Sequence, residues 1–285
     1  MPAEGTIQRM RTRALVVLLV VLATPTSTSA QGRKATKPKP WPAFEGGLTV
    51  KTRDAAFFTT LAAVELQKMV ARIGELRRFY ESHFGQKLKK GWRIVVLKDR
   101  PQFTKYQREV TKGRAGVQGQ CFAEQKVVTV CDHSRYGWNA TLSHEYAHAY
   151  YKCLGPIWLR EGIASLVEVA VGTGQGKQRK LKIPVNPPRL RGLRLYQGRK
   201  HYLSIKHLIR GEKEPDGYGY SYEHGWSFHY YLFNKNPKRY RAFLKTVRKR
   251  RGKDLSGELE KAFGLDVDGL DAEWTAFTKK LEAPR

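Results

Sequence analysis

Apolar residues recur at helical spacing along much of this chain. Leu66, Met69, Val70, Ile73, Leu76 and Tyr80 fall three or four apart, which predicts a long amphipathic helix ending near Gly85. WRIVVL (92–97) is a short apolar run suited to a strand, and PQFTKYQREV (101–110), which opens with Pro, reads as a short helix. VQGQCF (117–122) and KVVTVC (126–131), separated by AEQ, read as a hairpin. A helix over about 139–154 follows, Gly155-Pro156 breaks it, and a second helix is predicted over 157–171. Residues 172–200 are rich in Gly, Pro and Arg and read as a long loop. Downstream, 204–209, 223–233, 237–249, 255–263 and 267–281 all carry helical patterns. No internal repeat is visible. A small sheet followed by helices predicts an α+β fold.

The N-terminus follows a different logic. Arg9, Arg11 and Arg13 precede the ten-residue apolar run ALVVLLVVLA (14–23), and TPTSTSA then ends at Ala30. A basic start, a short apolar run and small residues at the cut site predict a secretory signal peptide, 1–30, cleaved after Ala30. The run is far shorter than the roughly 20 residues a spanning helix needs. The mature protein is therefore expected to be secreted or periplasmic. Residues 31–53, rich in Pro, Lys and Gly, read as a basic linker. One domain is expected over 54–285: a sheet with paired helices over 54–171, then a basic loop and a helical part over 172–285.

Composition narrows the class. A chain of 285 residues, 41% hydrophobic and 11% aromatic, is long and apolar enough for a sizeable core and is not a disordered polymer. Its 53 Lys and Arg against 25 Asp and Glu give a net charge of +28, concentrated in 176–200 and 235–253, which hold no acid at all. Such a surface attracts polyanions or is simply well solvated. For an exported protein the expected polyanions are envelope polymers or a membrane surface, ahead of nucleic acid. Export also bears on the three cysteines. Cys121 and Cys131 flank the hairpin and are close enough in sequence to form a disulfide, with Cys153 left over; the alternative is three small buried apolar residues.

The candidate chemistry lies in TLSHEYAHAYYKCLGPIWLREGIASL (141–166). Residues four apart on a helix differ by about 40° around its axis and sit one turn apart, so His144 and His148 point the same way and can share one ion. Two neutral imidazoles suit zinc, and a catalytic zinc needs a third protein ligand. Glu161 supplies it if the second helix crosses back over the ion, which the Gly155-Pro156 break permits. Glu145 is turned about 100° from His144, beside the ion, where it can act as general base for a metal-activated water.

HEYAH followed by WLREGIAS resembles the gluzincin branch of the zincin metallopeptidases, and is most similar to small bacterial peptidase-MA-like domains. The match covers about 141–168, is weaker over 220–281, and extends only in outline to the N-terminal third. The resemblance implies a zincin-like fold, with a small mixed sheet, the HExxH helix and a mainly helical C-terminal part. It implies one catalytic Zn2+ held by His144, His148 and Glu161, with Glu145 as base and a peptide or protein as substrate. It also implies that the strand at 126–131 is the sheet edge along which the peptide lies. Tyr222 is the choice for steadying the oxyanion, with Tyr218, Tyr220, His224 and His229 as alternatives within YGYSYEHGWSFHYYLF (218–233). Where related enzymes place an acid one turn after the ligand glutamate, this chain has Ser165. His133, His201 and His207 have no partner at ligand spacing. The alternative to a peptidase is a polyanion- or envelope-binding module whose zincin core is degenerate or structural.

Overall fold

The apolar run WRIVVL forms β3 (Trp92–Leu97), buried throughout at the centre of a five-stranded sheet. In the computed structural model, residues 41, 44–85, 87–114, 116–132, 137–151, 155–174, 180–198, 204–210, 218–248 and 254–283 are described, with backbone alone at 218–221. The expected signal peptide, most of the expected linker, His133, Cys153 and His201 lie outside them.

The strand order is β1 (Leu48–Lys51), β2 (Ala55–Thr59), β3, β5 (Val127–Cys131) and β4 (Gly119–Phe122). β2, β3 and β5 run parallel, and the two outer strands pair antiparallel. Strand side chains alternate between faces. Phe57, Ile94, Val96, Val128 and Val130 enter the larger core, whereas Phe58, Val95, Leu97, Val127 and Cys131 enter a smaller one. Phe103 and Tyr106 of α2 (Arg100–Tyr106) close that smaller core. The parallel pairing of β2 with β3 needs a crossover, supplied by α1 (Ala63–Phe84), which buries Leu66, Met69, Ile73, Leu76 and Tyr80 as its periodicity predicts. It ends at Gly85, whose φ of 61° is the left-handed cap expected there.

The larger core is completed by helices: α3 (Gly137–Tyr150), α4 (Ile157–Val167), α5 (Pro187–Gln197), α6 (Ile205–Ile209), α7 (Tyr218–Lys235), α8 (Pro237–Val247), α9 (Ser256–Phe263) and α10 (Val267–Lys279). The most extensive helix–helix contact is that of α4 with α7. No helix among the described residues is long and apolar enough to cross a membrane.

Several expectations need correction. β1 lies inside the segment read as linker, and no strand was expected over 55–59; β1 alternates but is only four residues long, and AAFFT of β2 is buried on both faces, so it shows no alternation. Residues 172–200 are not one loop. A two-stranded hairpin pairs β6 (Val171–Thr173) with β7 (Lys180–Lys182), and α5 follows, capped by the Asn186 side chain with Pro in its first turn. The strand at 126–131 is not an edge: β5 is flanked by β3 and β4, and β4 is the edge. No Cys121–Cys131 disulfide forms. Cys121 sits opposite Val128, and Cys131 pairs through its N–H with the Gln118 carbonyl, so the two thiols face opposite sides of the sheet.

Candidate metal centre

α3 carries His144, Glu145 and His148, and its register is fixed from outside. The buried Arg72 of α1 donates from Nε to Ser143 Oγ at 2.9 Å. The same guanidinium donates to the Ala170 and Val167 carbonyls at 2.6 and 3.3 Å, joining α1 to α3 and to the end of α4. Gly155, at φ 63°, reverses the chain, and Pro156 occupies the N-cap of α4 in extended backbone. Glu161 on the second turn of α4 therefore returns to α3.

The three side chains converge. Glu161 Oε2 lies 3.1 Å from His144 Nε2 and 3.5 Å from His148 Nε2, and one ligating atom from each residue lies within 4.8 Å of the others. This is the only metal-capable group of three or more such side chains among the described residues. The donor chemistry fits zinc: two imidazoles and one carboxylate. Burial alone would raise the Glu161 pKa, but hydrogen bonds from His144 and His148 hold its carboxyl far below the usual range. Burial likewise opposes charge on His144, yet Glu161 and Glu168 hold its pKa well above normal. A proton shared between imidazole and carboxylate marks electron pairs that one cation can take over.

The orienting acid is Glu168, not Ser165. His144 Nδ1 donates to Glu168 Oε1 at 2.8 Å, which leaves Nε2 facing the cluster. Ser165 is buried, and its hydroxyl makes no hydrogen bond among the described residues. Two turns separate Glu161 from Glu168, which stands at the C-cap of α4. Arg189 of α5 grips Glu168 through Nη2 at 2.6 Å and Nε at 3.1 Å, and Asn186 adds a hydrogen bond at 2.9 Å. Burial would raise the Glu168 carboxyl, but His144 and Arg189 bring it down to about 2.

Glu145 faces β4. The backbone pattern of that strand follows from its register: Gln118, Gln120 and Phe122 turn their amides toward β5, so Gly119 and Cys121 present theirs to the outside. The Cys121 N–H donates to Glu145, and Gly119 passes so close that a Cβ there would lie 2.7 Å from Glu145 Cγ. Burial pushes the Glu145 pKa above its ordinary value, while His144 and His148 pull it back.

Tyr222 of α7 stacks on His144, with ring centroids 5.8 Å apart and planes 17° apart, and its hydroxyl donates to Glu161. The Arg189 guanidinium lies over the same ring, 4.9 Å from its centroid. Burial and the neighbouring carboxylates raise its pKa, so the phenol stays protonated. The alternatives lie elsewhere. His229 is fully buried against Tyr240 and Trp158, and His224 against Tyr196 and Trp274. The side chains of Tyr218 and Tyr220 fall outside the described residues. His207 lies on α6 and is not part of the cluster.

Two cavities flank Glu145. One, of about 400 Å³, runs between β4 and α4 past Arg114, Cys121, His148 and Arg160. The other, of about 260 Å³, lies beside Gln118, Ala140, Thr141 and Arg189. Glu168, Asn186, Arg189 and Glu223, the supports of the site, were not singled out from sequence. Asn186 and Pro187 alone gave a signal, that of a helix start.

No protein-family model matches this sequence, and no curated protein matches it. Solved structures with similarity include yeast LTA4 hydrolase in complex with bestatin, at 13% identity and a TM-score of 0.46. Native leukotriene A4 hydrolase from Saccharomyces cerevisiae is similar at 13% identity and a TM-score of 0.47. Each alignment covers 84% of this chain and 40% of the other, so the chain spans well under half the length of those proteins.

Proposed function

We propose that this protein is an exported zinc-dependent peptidase of gluzincin type. One observation carries the reading: His144, His148 and Glu161 converge while the Glu145 carboxylate lies beside them, against the backbone of an edge strand. His144, His148 and Glu161 would hold the metal. When bound, zinc supplies Lewis acidity that polarises a carbonyl and brings the pKa of water toward ~7.

The chain's own groups supply the rest. An extended peptide lies along β4, pairing with the outward backbone of Gly119 and with the Cys121 carbonyl, since the Cys121 N–H is held by Glu145. Glu145, its pKa raised by burial, takes the proton of the attacking water and hands it to the departing amine. The Cys121 N–H keeps that carboxylate aimed into the cleft. Tyr222, a protonated phenol beside the cluster, donates to the developing oxyanion. Glu168, locked by Arg189, holds His144 in one tautomer.

The purified protein is expected to bind one zinc per chain, and Glu145→Gln to keep that zinc while losing cleavage of a mixed peptide substrate. Wild-type protein that binds no zinc would overturn the reading. The basic surface supports a second role, attachment to an anionic polymer or membrane surface. The exposed side of α8 and its C-cap present Lys238, Arg241, Lys245 and Arg248, and retention there should fall steeply with salt.

A further inference from the structure

We propose that the cleft selects peptides bearing a carboxylate, and that Arg160 is the residue that reads it. This deepens the peptidase reading and rests on it. Arg160 precedes Glu161 on α4, and neighbours on a helix are turned about 100° apart. Glu161 faces the imidazoles, and Arg160 instead lines the larger cavity beside the same site.

Its surroundings are unusual for this molecule. Two other arginines near the site are committed: the buried Arg72 to Ser143 and two carbonyls, the half-buried Arg189 to Glu168 and Glu223. Arg160 is half-buried, its Nε is shielded from solvent, and it makes no hydrogen bond or ion pair among the described residues. A shielded donor without an acceptor is costly, and a ligand that supplies the acceptor recovers that cost. Among the described residues, apart from Glu145, Glu161 and the two imidazoles, the only other charged group lining this cavity is Arg114. On the far side of Glu145 the cavity wall offers Arg189, already neutralised by its two glutamates. Among the described residues, unmatched positive charge therefore lies at one end of the cleft only.

A planar guanidinium matches a carboxylate through two parallel hydrogen bonds, a geometry that an ammonium does not reproduce. In a peptide that carboxylate is either an Asp or Glu side chain or the free C-terminus. The +28 charge of the whole chain draws such substrates toward the cleft before contact.

The test uses zinc-loaded Glu145→Gln protein and two series of short fluorescent peptides. One series is end-blocked and carries Glu or Gln at each position in turn; the other carries a free or an amidated C-terminus. In one series, the charged member is expected to bind about tenfold more tightly than its neutral twin. The series that shows the ratio identifies which carboxylate is read. Adding Arg160→Gln should bring the ratio close to one. Arg160→Lys, which keeps the charge and loses the fork, should retain part of it. Equal binding of charged and neutral twins in both series, no binding of any peptide, or a ratio that survives Arg160→Gln would overturn the assignment. Wild-type protein that cleaves acidic and neutral peptides alike would sink this inference and leave the peptidase standing. A preserved binding ratio with no cleavage would do the reverse.

Discussion

Gly162 and Gly225 meet backbone to backbone where α4 crosses α7. A Cβ on Gly162 would lie 2.6 Å from the Gly225 carbonyl, and a Cβ on Gly225 would lie 2.6 Å from the Trp158 carbonyl. Glu161 precedes the first glycine and Tyr222 lies one turn before the second, so this contact sets the distance between ligand and phenol. Gly162→Ala should force the helices apart, cost about 1–3 kcal/mol in urea denaturation, and weaken zinc binding. Unchanged stability with unchanged zinc affinity would show that the crossing can relax.

Glu168 and Ser165 make opposite predictions. Glu168→Ala removes the partner of His144 Nδ1 and leaves Arg189 without its main acceptor. Zinc affinity is expected to fall by about 10–100-fold in a chelator competition. Ser165→Ala removes a hydroxyl that makes no hydrogen bond among the described residues, so affinity should stay within about twofold and stability should hold or rise. The reverse order would return the orienting role to Ser165.

Tyr222→Phe keeps the ring on His144 and deletes only the hydroxyl. Loss of an oxyanion donor typically lowers kcat by about 10²–10³. The effect should fall on kcat with KM little changed, and a loss under about threefold would assign the hydroxyl to holding Glu161 instead.

His224 and His229 should remain neutral well below the ordinary histidine value, because burial pushes both down to about 3. Their imidazole resonances are expected not to titrate between pH 7.5 and 4.5. The stability consequence has a definite sign. The unfolded chain binds these protons below about pH 6.5 while the folded one does not, so stability falls with pH from about 6.5 toward 3. Each histidine contributes up to about 1.4 kcal/mol per pH unit. Glu145 and Glu223, raised by burial, offset part of this above pH 4.5. Titration of both rings near pH 6.5 would mean that water reaches them.

The site was legible in the sequence where it depends on local geometry. His144, Glu145 and His148 are fixed by helix spacing, and the Gly155-Pro156 break announces the return of Glu161. What depends on tertiary placement was hidden. Glu168 acts only because α4 ends where it does, and Arg189 acts only because α5 lies across it. The segment holding α5 is so rich in Gly, Pro and Arg that composition masked the Asn186-Pro187 helix start. β4 and β5 were both visible as strands. Their lateral order was not, because a hairpin read from sequence does not say which arm is followed by another strand in the sheet. The same ambiguity of facing made Cys121 and Cys131 look like neighbours, whereas their register offset places them on opposite sides.

If peptides pair with β4 as proposed, its outward backbone groups would favour chains with no internal hydrogen-bonding commitments of their own. On the proposed peptidase reading, a helix has already spent its amides and an interior strand has none to offer, so neither would dock in this groove. Tails, linkers and unravelled stretches qualify. Selection would thus begin with the conformational state of the target, before any of its side chains are inspected.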